Sequence, residues 1–127
     1  MPMTNFLANQ IANATLRNTA YTSPATVYAS LYTTAPTANT AGTELSGNGY
    51  SRVAVTFSAP ANGSASSNVA ATFGPATGNA WSGVVAVSIT DASSSGNILY
   101  YNAITTRNVK VGDTLTFGSG NVTITLT

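Results

Sequence analysis

The apolar positions of this chain change period once, near its start, and keep the new period to the end. In 4–17 (TNFLANQIANATLR) the residues Phe6, Leu7, Ile11, Ala14 and Leu16 fall close to one helical stripe, and Thr4 stands where an N-cap belongs. The spacing predicts a short amphipathic helix over 4–17. Alone in water such a helix is marginal, so it needs a docking surface on the sheet or on another subunit.

From Val27 onward the pattern is strand, turn, strand. Val27, Ala29 and Leu31 alternate with Tyr28, Ser30 and Tyr32, giving a strand with two usable faces. The polar stretch 37–48 reads as an extended loop, a kind of segment that carries function more often than packing. Arg52–Phe57 alternates again and stops at Pro60, and Asn62-Gly63 marks a turn. Val69–Phe73 is a short strand broken by Gly74-Pro75. Trp81–Asp91 is a strong β run, joined through Ala92–Gly96 to Asn97–Ala103 as a hairpin. Thr105–Val111 and Thr114–Phe117 read as a further pair about Gly112-Asp113, and Val122–Leu126 closes the series. The sum is an all-β single domain over 1–127, with one N-terminal helix and about seven to eight short antiparallel strands. Sandwich, jelly roll and small barrel all fit that spacing.

Composition narrows the chemistry. The chain has no cysteine and no histidine, which removes thiolate nucleophiles, imidazole bases, Cys or His zinc sites, haem and iron–sulfur ligation, and leaves the redox compartment open. Its carboxylates are three, Glu44, Asp91 and Asp113, and its cations four, Arg17, Arg52, Arg107 and Lys110, for a net charge of +1. Four scattered cations cannot neutralise a run of phosphates, so nucleic acid is not expected as a partner. A charge this close to zero gives little mutual repulsion and favours association with copies of itself or with another protein. No apolar run approaches the 18 or so residues that span a membrane, and no signal peptide is read, so a soluble protein made in the cytoplasm of its producer is expected. Aromatic residues make up 9% of the chain and β-branched residues recur at strand spacing, which argues for order against disorder.

Several phrases carry a resemblance: TAYTSPATVYASLYTTAPT, GTELSGNGYSRVAVTF, FGPATGNAW, VSITDASSSGNILYYNAIT and VKVGDTLTFGSGNVTITL, in that order. Together they resemble a family of small bacteriophage virion structural proteins, often labelled tail-fibre-like, over nearly the whole chain from Phe6 to Leu126. The resemblance implies a repeated, non-enzymatic part of a phage particle, assembled in the bacterial host cytoplasm. It supplies no catalytic residue and no cofactor.

Four residues stand out as structural or interface candidates. Glu44 and Arg52, eight positions apart across Gly47-Asn48-Gly49, form either a surface ion pair across a turn or a charge-assisted bond at a subunit contact. Trp81 is a core plug or an interface anchor. Asp91, ahead of Ala92-Ser93-Ser94, starts a loop by accepting backbone N–H bonds or serves as a calcium ligand, and calcium would need more oxygens than three carboxylates readily supply. Tyr21, Tyr28, Tyr32, Tyr50, Tyr100 and Tyr101 are sheet and core residues or a stacking platform for sugars. A paired-carboxylate hydrolase has only three acids to draw on, all beside turn residues, and no phosphate loop opens a helix.

Three functions follow as expectations. The first is a capsid decoration or cement protein, a homotrimer that binds the outer surface of a phage major capsid protein and stabilises the head by linkage. The second is a tail or tail-fibre-associated adaptor or short receptor-contacting module; neither the heptads nor the repeats of a long fibre appear, an objection that a small adaptor escapes. The third is a module that contacts a host glycan receptor. Surfaces rich in Ala, Thr and Ser favour the first, since they suit repeated packing more than ligand capture.

Overall fold

The computed structural model describes residues 1–126, and among them are one helix and nine strands. The helix α1 runs Asn5–Leu16, followed by β1 (Val27–Thr34), β2 (Thr43–Glu44), β3 (Val53–Val55), β4 (Ser64–Ser66), β5 (Ala71–Phe73), β6 (Trp81–Thr90), β7 (Ile98–Val109), β8 (Leu115–Phe117) and β9 (Thr123–Thr125). The main sheet has the order β2-β1-β6-β7, with β3 beside β2 on the same edge of β1, and all its pairs are antiparallel. Two ribbons, β4–β9 and β5–β8, form the second layer of a β-sandwich.

The central strands carry different chemistry on their two faces, and both faces are buried. Ala29 and Leu31 of β1, facing Ile89 and Val87 of β6, pack toward the ribbons, which contribute Phe73, Val122 and Ile124. On the reverse, Ser30, Tyr32, Ser88 and Thr90 are buried as hydroxyls. Burying a hydroxyl costs free energy unless it is bonded, and these bond one another: Ser30 to Thr90 at 3.3 Å, and Ser88 to Tyr32 at 2.9 Å. Among the described residues no buried side-chain polar atom lacks a partner.

The helix is held by its first turn. Thr4 takes extended backbone at the N-cap and accepts from the Leu7 N–H at 3.4 Å, while its hydroxyl donates to the Ile98 carbonyl of β7 at 2.6 Å. Leu7 is the one residue of α1 that is buried, and Leu16 at the far end is 81% exposed. The stripe expected to bury Phe6, Leu7, Ile11, Ala14 and Leu16 together is therefore engaged only in its N-terminal half, because the helix docks against β7 and its last turn runs past it.

Four sequence expectations need correction. Asn97–Ala103 and Thr105–Val111 are not separate strands: β7 runs unbroken to Val109, and its ladder with β6 absorbs register shifts between Trp81 and Val84 and between Val84 and Ala86. Accordingly Thr114–Phe117 does not pair back across Gly112-Asp113. Leu115–Phe117 pairs with β5, setting Phe117 edge-on to Phe73 at 6.1 Å, since burial of that ring outweighs the local turn. The 37–48 stretch is not wholly loop, because β2 pairs with the end of β1, and the unanticipated β4 completes a ribbon with β9. Among the described residues the strands number nine, in keeping with the expected all-β domain of about seven to eight short antiparallel strands.

Candidate functional site

Glu44, Tyr50 and Arg52 meet where β1 changes partner. Its edge is paired with β2 at Tyr32 and Thr34 and with β3 from Val27 to Ala29, which leaves Leu31 between them. Leu45 N–H donates to the Leu31 carbonyl at 2.9 Å, and the Leu31 N–H donates to the Tyr50 hydroxyl at 3.0 Å. The phenol thus stands in for the missing stretch of strand. Its hydroxyl in turn donates to Glu44 Oε2 at 2.6 Å.

Arg52 closes the cluster. Its Nε donates to Glu44 Oε2 at 2.9 Å and its Nη2 to Oε1 at 2.8 Å, a bidentate pair with side chains 9% and 27% exposed for Arg52 and Glu44. Nη1 reaches the carbonyls of Ala92 and Ser95, both at 2.8 Å. One guanidinium therefore binds β2, β3 and the β6–β7 loop together. Burial pushes the Glu44 carboxyl up, but the hydrogen bonds from Arg52 and Tyr50 and the Arg52 charge outweigh it and hold the group below the usual carboxylate range. The Arg52 guanidinium is held above its ordinary value, first by its hydrogen bond to Glu44. Tyr50 is pushed well above the usual phenol range by burial and by its bond to Glu44.

Asp91 braces the same loop from the other side. Its Oδ1 accepts from the Asn97 N–H at 2.7 Å and its Oδ2 from the Asn97 amide at 3.1 Å. Among the described residues no three acidic side chains converge as a cation site. Trp81 stands apart, 1% exposed in the core, its Nε1–H donating to the Asn48 carbonyl at 2.8 Å and its ring set edge-on to Tyr50 at 6.0 Å. Of the four candidates, Glu44, Arg52 and Asp91 converge on one loop cluster, and Trp81 supports it from beneath through Tyr50. Asp113, the remaining acid, contributes a backbone turn with Lys110 and Ala76.

Two open hollows lie at this end of the molecule. One of about 330 Å³ is lined by Glu44, Tyr50, Arg52 and Ser93–Ser95, and another of about 330 Å³ by Thr4–Phe6, Thr37–Ala41 and Gly96–Ile98. The charged groups facing the first are already bonded to one another, so it presents mostly serine hydroxyls and backbone to solvent. The tyrosines do not form a single platform: Tyr32 and Tyr50 are built into the fold, while Tyr28, Tyr100 and Tyr101 lie half-buried along the sheet. Tyr50, expected only as one of the sheet and core or sugar-platform tyrosines, is the residue whose place between Leu31 and Glu44 the sequence did not bring out. Its place two positions before Arg52, on the same side of an extended segment, was the available signal.

Residues 2–125 match a family described as podophage GP4 fiber I protein gp80. A search of curated proteins returns no significant match.

Proposed function

The chain belongs to the podophage GP4 fiber I protein gp80 family of phage virion structural proteins, and from that footing we propose that it is a small, repeated subunit of the phage fibre. In this reading it acts by packing against neighbours and performs no catalysis. The observation that carries it is the family match across 2–125, which takes in α1, both layers and the loop cluster. The geometry supports the same role. Glu44 and Arg52 spend their charge within the chain, and the outer ribbons present paired hydroxyls such as Ser66 with Thr123 and Thr72 with Thr116, a surface suited to close protein contact. The partner is then further copies of the chain, which we propose to be arranged about a three-fold axis.

The head-decoration reading has one feature in its favour: a compact sandwich without heptads or repeats could lie flat on a capsid lattice as well as in a fibre. Copy number in purified virions, measured by quantitative mass spectrometry against the major capsid protein, separates the two. A few to a few dozen copies in multiples of three supports the fibre; hundreds of copies in simple ratio to the capsid protein would establish decoration instead.

A further inference from the structure

The N-terminal unit is joined to the sandwich by a different kind of attachment from the rest of the chain. Thr4 N–H donates to the Leu99 carbonyl at 2.9 Å and Tyr101 N–H to the Pro2 carbonyl at 3.1 Å, so that Pro2–Thr4 lies as an added antiparallel strand on the outer edge of β7, with Met3 opposite Tyr100. Asn5 N–H adds a bond to the Ala38 carbonyl at 2.7 Å. After α1 comes the connection from Arg17 to Thr26. The N–H groups of Arg17 and Thr19 return only to Asn13 of the helix itself, and among the described residues Ala20–Ala25 make no backbone hydrogen bond. Only Tyr21 and Pro24 in this connection are even half-buried. Drawn out, these residues span roughly 33 Å.

An arm held by the β7 edge, by the Asn5–Ala38 bond and by the docked side chains of Met1 and Leu7, and tethered by a long, exposed connection, can satisfy the same sites on a neighbour. None of the contacts just described identifies which chain supplies the arm. In an isolated chain the tether keeps the arm at an effective concentration on the order of millimolar, and the chain closes on itself. Copies packed side by side bring competing edges to a similar concentration, and exchange then ties subunits together without loss of a contact. The connection 17–26 is the part that would cross between copies, and it starts from the helix end that the closed chain leaves uncovered, with Leu16 in solvent.

We propose that in the assembled fibre the N-terminal arm and α1 are exchanged, the Pro2–Thr4 strand of each copy pairing with β7 of a second copy of this chain. The proposal rests on the fibre reading above, in which copies are neighbours. Because the chain is free of cysteine, a disulfide reports the exchange cleanly. Met3 and Tyr100 form a non-hydrogen-bonded antiparallel pair, whose Cα atoms lie about 4.5 Å apart, within disulfide reach.

The experiment is to oxidise purified particles carrying M3C/Y100C and run them on a denaturing, non-reducing gel, with each single variant as control. The expected result is a shift of the subunit band from monomer to covalent dimer and trimer that neither single variant shows. A monomer carrying an internal disulfide, or no disulfide at all, overturns the proposal. Tyr100 packs against the core, so N5C/A38C joined by a short thiol cross-linker reads the same choice should the first pair fail to fold. Absence of the chain from particles would defeat the fibre reading alone, and the gel repeated on the purified recombinant oligomer would still decide the exchange.

Discussion

Arg52 is the side chain on which most of the polar architecture depends. Truncation to alanine leaves Glu44 half-buried without its cation and frees the carbonyls of Ala92 and Ser95, so R52A is expected to lower unfolding free energy by about 2–3 kcal/mol in urea denaturation. A double-mutant cycle with E44A should return a coupling of about 1–3 kcal/mol; a coupling near zero would make the pair an ordinary surface contact. Gly96 gives a second test at this scale. It sits at φ +73, and a Cβ there would meet Ala92 Cβ at 2.8 Å as well as Asp91 Oδ1, whereas Gly47, at φ +71, has nothing within 4 Å. G96A should therefore destabilise clearly more than G47A, whose cost of about 1 kcal/mol is that of the left-handed backbone alone. Equal losses would show that the loop yields. The Glu44–Arg52 pairing is legible from spacing, but Tyr50 is not, because its role depends on a gap between two strands that only the pairing of β1 reveals.

At the scale of elements, what could be read in the sequence is what is local. The helix over 5–16 and the β6–β7 hairpin follow from periodicity within a dozen residues, and their existence is plain in the residue pattern. The ribbons were not legible in the same way. β9 is visible in the alternation of 122–126, but the three residues of β4 have no period of their own, and the two pair across roughly half the chain. Their partners are chosen by Phe73, Phe117 and Ile124 seeking one core, a tertiary preference that overrides the nearest turn signal. The same scale tests the helix. Thr4 both caps α1 and donates to Ile98, so T4A should cost about 1–2 kcal/mol, while L16S at the uncovered end should change stability by less than about 0.5 kcal/mol. A large loss from L16S in the isolated monomer would mean that the last turn is packed after all.

For the whole molecule, so few ionisable groups make the pH response easy to assign. Glu44 titrates lower in the fold than in the unfolded chain, so its contribution is complete above its unfolded value near pH 4.3 and is lost as pH falls through the folded one. Tyr50 titrates higher in the fold, so its contribution is complete below about pH 10 and is lost as pH rises beyond it. The melting temperature should be nearly level from about pH 5 to 10 and fall on both sides. E44Q should flatten the acid limb, and Y50F should make the alkaline one shallower without removing it, because burial raises Tyr32 and Tyr100 as well. A maximum near neutrality would point to groups outside this cluster.

The hydroxyl pairs along the outer ribbons, Ser64 with Thr125, Ser66 with Thr123 and Thr72 with Thr116, carry a consequence for the medium in which such a surface works. Wettability here comes from uncharged groups, and dissolved ions can screen only charges. Any contact made through these faces should therefore be weakened little by added salt, unlike one held by ion pairs.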